Sequence, residues 1–174
     1  TDLTGLVLWI EPIEENEPWH LVPFCWLPDE GLQRKEELDR VPYMAWRAAG
    51  YLDTTPGRAV SKLQVALKLA ALAEIFEIQA VAFDRWRIED FKALAEDNGV
   101  TLPPLEPFGQ GYQSMSPAVE AMETHLLNST VEHPAHPIFT WCAANAVVQS
   151  DGTNRKLRIE NGFGRFVLLV AVVM

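Results

Sequence analysis

The chain has 174 residues, of which 48% are hydrophobic and 22% charged, and its formal net charge is −10. That length can bury a full core within one domain, and the composition is that of a soluble globular protein rather than a disordered or fibrous one. The charge has the wrong sign for a protein that coats nucleic acid through a basic surface alone, but it is compatible with an enzyme whose acids hold cations against phosphate.

In chain order, "TGLVLWIEP" (Thr4 to Pro12) and "WHLVPFCWLP" (Trp19 to Pro28) read as two strands. The short acidic turn between them predicts an antiparallel hairpin. No secretory leader pattern precedes the first strand, and the chain opens on Thr1, so a fragment of a longer protein is expected. "DEGLQRKEELDRVPYMAWRAAG" reads as helical pieces ending at Gly50, and "YLDTTPG" as a short strand running into a turn. Ser61 to Phe76 has helical spacing, with Leu63, Leu67, Ala70, Ala71 and Glu74 on one stripe and Leu69, Leu72 and Phe76 broadening it. Ile78 to Phe83 predicts a short buried strand. Ile88, Phe91, Leu94 and Ala95 form the next helical stripe, which stops at Asn98 and Gly99.

"VTLPPLEPFG" is a second short strand, limited by its prolines, and "FGQGYQS" is a flexible loop. "SPAVEAMETHLLN" predicts a helix capped by Ser116, with Pro117 in its first turn and Val119, Met122, Leu126 and Leu127 as its apolar stripe. "PIFTWCAANAVVQSDG" is apolar and ends in a turn, and an apolar helix or strand follows Gly162. The closing run "FVLLVAVVM" falls short of the roughly 20 residues that span a membrane. A hairpin followed by alternating helices and strands predicts an α/β fold with a mixed sheet flanked by helices. Sites in such sheets gather at the carboxyl ends of strands.

Asp84 occupies such a place, in "AVAFDRW". Spacing alone favours a helix cap or turn residue there. The other reading is a metal ligand, since a strand end holds a carboxylate firmly and Mg²⁺ or Mn²⁺ prefers hard oxygen donors. Asp2, near the chain end, reads as solvated, and Asp53 as a turn residue. The two histidines of "HPAHP" are separated by prolines and read poorly as a metal pair. Ser114 and Ser116 lack a paired histidine pattern. Cys25 and Cys142, each beside a tryptophan, read as buried free thiols of a reducing compartment. A local basic rim is expected from Arg85, Arg87, Arg155, Lys156, Arg158 and Arg165.

Six stretches, taken in order, resemble the C-terminal nuclease domain of the large terminase subunit of tailed bacteriophages. They are "TDLTGLVLW", "PFCWLPDEGL", "DRVPYMAWRAAGYLDTTPG", "AVAFDRWRIEDF", "FGQGYQSMSPAVEAMETHL" and "FTWCAANAVV". Each is weak alone, but six in register are specific. The resemblance implies a single nuclease domain over residues 1–174 with an RNase H-like fold, an ATPase domain lying upstream. It implies a two-metal Mg²⁺ or Mn²⁺ endonuclease that cuts concatemeric double-stranded viral DNA during packaging. The terminase small subunit and the portal protein would be its partners, in the cytoplasm of the bacterial host and without a membrane.

Of the acids the resemblance implies, Asp84 matches the one on the strand ending in "FD". The first would fall upstream of this chain, with Asp2 as a following, supporting acid. The third falls on Val167 if no gap is allowed, or on Glu160 with a small insertion. Ser61 stands where an acid is usual. Asp84 and Glu160 are therefore the expected catalytic pair, Asp84, Asp2 and Glu160 the expected metal ligands, and Arg85 and Arg87 the expected DNA contacts. The alternatives are a degenerate or truncated module of the same fold that binds DNA or packaging partners without cutting, and a different RNase H-like enzyme such as a resolvase.

Overall fold

The computed structural model describes residues 3–84, 88–159 and 165–174. The fold is mixed α/β, with a mixed sheet flanked by helices. The chain divides into two compact units, one of Thr1–Val60 and Gly111–Val173, the other of Ser61–Gln110 with Met174.

The first unit is built on the hairpin. Strand β1 (Thr4–Ile10) pairs antiparallel with β2 (Trp19–Pro28), from Thr4 opposite Trp26 to Ile10 opposite His20. On its other edge β2 takes two short parallel partners, β3 (Asp53–Thr55) at its end and β6 (Val131–Glu132) at its start. Pro23, which cannot donate to a ladder, falls in the interval of β2 between those two partners. Leu21, Pro23, Cys25 and Leu27 are buried at every second position, the period of one strand face on the core, and Trp26 and Pro28 are buried as well, so the end of β2 is covered on both faces.

Helices α1 (Leu32–Asp39) and α2 (Tyr43–Ala48) fill the interval between β2 and β3. Helices α5 (Tyr112–Leu127) and α6 (Pro137–Ala144) come later in the chain, and α7 (Val167–Val173) closes it. Helix α7 lies against β1 and β2 and buries Leu168, Val170, Val172 and Val173. Gly5 permits the approach, because a Cβ there would stand 2.8 Å from Leu168 Cδ2. The indole Nε1 of Trp9 donates to the Val172 carbonyl at 3.2 Å, satisfying an orphan acceptor of the last turn of α7. Strands β7 (Ala146–Asp151) and β8 (Asn154–Ile159) form a separate antiparallel hairpin beside α5.

The second unit is a β-α-β element preceded by a helix. Helix α3 (Lys62–Ile75) begins at Ser61, whose hydroxyl accepts from the Gln64 N–H at 3.4 Å. Strand β4 (Val81–Asp84) and β5 (Leu105–Phe108) run parallel, with Asp84 opposite Phe108, and α4 (Ile88–Asp97) connects them. Gly99, at φ 67°, closes α4 in the left-handed conformation that glycine adopts without strain.

Several expectations are corrected. The strand predicted over Ile78 to Phe83 begins only at Val81 and is half-exposed rather than buried. The buried face of α3 is Ala66, Leu69 and Leu72, while Leu67 is 45% exposed. Helix α5 is capped at Gly111, not Ser116, so Pro117 lies inside it rather than in its first turn. Leu126 and Leu127 end its stripe in solvent, and Met115 takes their place in the core. Asp53 opens strand β3 instead of forming a turn.

Candidate functional site

Asp84 is the last residue of β4, at the carboxyl end of a parallel pair. Parallel pairing brings the carboxyl ends of both strands to one edge, so the residues just past β5 reach the same place. Gln110 is two residues beyond Phe108, the strand-mate of Asp84. Its side-chain amide donates to Asp84 Oδ2 at 2.9 Å. The carboxylate is half-buried, held at its base by the β4 ladder and at one oxygen by this amide.

A Mg²⁺- or Mn²⁺-type ion takes several oxygen ligands, usually one or two carboxylates with waters and phosphate. Asp84 is the right donor type on a rigid element. Among the described residues, however, no group of three or more His, Cys, Asp or Glu side chains converges as a metal site. Asp2 and Glu160, the expected partners, lie outside the described residues, as do Arg85 and Arg87. Val167, the gapless third position, is described: it opens α7, with Cγ1 3.5 Å from where a Gly5 Cβ would stand. An apolar side chain packed on β1 supplies no ligand there.

Most of the remaining candidates have structural partners. Arg165 Nε donates to Asp39 Oδ2 at 3.0 Å, and the Tyr43 hydroxyl donates to the same oxygen at 2.7 Å. Arg165 is only 18% exposed, so this expected member of the basic rim is instead a strut of the first unit. Burial, and then Asp39, push the Tyr43 phenol well above its ordinary range, keeping it a neutral donor. Arg155 pairs with Glu123 at 2.7 Å, and the Lys156 ammonium stands 4.7 Å from the centre of the Tyr112 ring. Arg158 is exposed on β8. Ser116 has neither a nucleophile's nor a cap's surroundings: its hydroxyl accepts from the Arg155 N–H at 2.6 Å and donates to the Arg155 carbonyl at 2.9 Å.

His136 caps α6, its Nδ1 accepting from the Phe139 N–H at 3.3 Å. Burial lowers its pKa, in keeping with a neutral acceptor ring. His133 is exposed and bonded to the Pro134 carbonyl at 2.9 Å, so "HPAHP" forms a cap and not a metal pair. Cys25 and Cys142 are buried free thiols, as expected. Burial pushes the Cys142 thiol up to about 11 and Cys25 higher still, which leaves both inert as nucleophiles. The sequence reading missed Gln110, which stands in the segment taken as a loop. The signal that would have found it is the pairing of Asp84 with Phe108, which no local pattern contains.

The family described as the terminase large subunit, endonuclease domain, matches residues 1–171 of this chain. The terminase large subunit of Enterobacteria phage HK97 is 41% identical over 174 residues, which are 99% of this chain and 34% of that protein. The crystal structure of the HK97 bacteriophage large terminase is similar with a TM-score of 0.89 at 38% identity, covering 99% of this chain and 36% of that one. The chain thus spans about a third of the length of these relatives.

Proposed function

This chain belongs to the family of terminase large subunit endonuclease domains, and from that premise we propose that it is a metal-dependent, RNase H-like endonuclease that cuts concatemeric double-stranded viral DNA during packaging. The single observation that carries the reading within the site is Asp84, a carboxylate at the carboxyl end of a parallel strand and fixed by a neighbouring amide. A bound Mg²⁺ or Mn²⁺ pair would lower the pKa of the attacking water and neutralise charge on the phosphate. Asp84 would hold metal, with Glu160 as the second catalytic acid and Asp2 in support, and Arg85 and Arg87 would face the phosphate backbone. We place the domain in the C-terminal part of its parent, behind an ATPase domain, acting in the host cytoplasm with the terminase small subunit and the portal protein.

A second reading has its own observation. Val167 packs against β1 where the gapless third acid would stand. A site left with too few carboxylates would hold metal poorly, and the domain would then bind DNA or packaging partners without cutting. Supercoiled plasmid incubated with the chain and Mn²⁺ separates the two. Nicked and linear products that vanish with EDTA support the endonuclease. DNA retention without nicking supports the non-cutting module.

A further inference from the structure

We propose that Gln110 is a positioning residue for Asp84, fixing the orientation in which that carboxylate meets a divalent cation; the inference rests on the endonuclease reading above. Three observations converge on it. The parallel register sets Asp84 opposite Phe108, so the chain just past β5 leaves the pair at the edge where Asp84 stands. The Gln110 amide spans that gap with a 2.9 Å bond to Oδ2. The bond links two separate strand ends, 26 residues apart in sequence, and so reports the fold rather than a local turn.

The physical consequence is specific. A carboxylate on a single Cβ can rotate about χ2, a broad torsion with little preference of its own. An amide N–H on Oδ2 narrows that rotation and so restricts the directions from which a cation can meet the carboxylate. Partners that hydrogen-bond a metal-ligating carboxylate typically account for 10–100-fold in metal affinity or activity. Both side chains reach solvent at this bond, so it adds little to stability: a typical hydrogen bond nets about 1 kcal/mol, and less where water replaces it readily. Function and stability therefore separate at this position.

The test uses the full chain and Mn²⁺ alone, with bound ion measured from the loss of the free-ion EPR signal and with Tm recorded in parallel. Gln110→Met keeps the length of the side chain and removes the N–H. It is expected to raise the half-saturating Mn²⁺ concentration by about 10–100-fold with Tm unchanged, and Gln110→Ala should match it. In an Asp84→Ala background, Gln110→Met should have no further effect, because the coupling passes through the carboxylate. Wild-type Mn²⁺ binding that depends on Asp84 yet is unmoved by Gln110→Met overturns the positioning role and leaves the endonuclease reading standing. Binding that is identical in wild type and Asp84→Ala overturns both.

Discussion

At Asp84 and its neighbours the question is what each side chain touches. The place of Asp84 at the end of β4 was legible, because an acid at the end of a strand-like run, just before a helix, is a local pattern. The bond from Gln110 was not legible, because it depends on which strand lies beside β4. His136 illustrates the reverse: two histidines three apart look like ligands until the ring of one is seen capping α6. That cap gives a prediction with a definite sign. The pKa of His136 is lowered in the fold, so the unfolded chain binds the proton more readily. The stability that the neutral ring confers is fully present above the unfolded value of about 6.5 and is lost as pH falls through the lower folded value. Thermal unfolding between pH 7 and pH 5 should show a falling Tm in wild type. His136→Asn keeps a capping oxygen that does not titrate and should lose part of that slope. Parallel pH profiles for the two proteins would contradict the assignment.

Helices and strands were legible where one period dominates. The α4 stripe of Ile88, Phe91, Leu94 and Ala95 is the complete set of its positions that are not exposed. Helix α3 was misjudged in its facing because it is apolar nearly all round, so periodicity cannot say which side packs. The start of α5 was misjudged because a Ser-Pro pair is a strong local helix-start signal. Tertiary structure uses the serine otherwise: its hydroxyl pairs with both backbone groups of Arg155 and ties β8 to α5. Ser116→Ala removes both bonds and should cost about 1–3 kcal/mol. Amide exchange should quicken over β7 and β8 more than elsewhere, whereas uniform exchange would show that the tie is dispensable. The contact of β1 with α7 is similarly specific. Gly5→Ala forces a Cβ against Leu168, and overpacking of this kind costs about 1–3 kcal/mol. For a chain of this size that lowers Tm by roughly 2–4 °C per kcal/mol, and an unchanged Tm would mean that Leu168 can step aside.

For the molecule as a whole, the fold class follows from the order of elements, and the family from six weak stretches held in register. The division into units and the membership of each sheet did not follow, since both depend on pairings between distant segments. Net charge belongs to this scale too. At −10, the chain repels DNA as a whole, so retention of DNA should be weak in EDTA and should strengthen with a divalent ion that bridges acid to phosphate. Filter binding with EDTA or with Ca²⁺ measures this directly, and equal retention in both would place the DNA contact on basic residues instead. The central claim is that Asp84 holds the ion on which cutting depends. Its most direct test is supercoiled plasmid with Mn²⁺, wild type beside Asp84→Ala, both confirmed folded by their Tm. The account predicts nicked and linear DNA from wild type and at least a hundredfold less from the variant, of the order that loss of a group stabilising the transition state produces. Equal cutting by both proteins would contradict it.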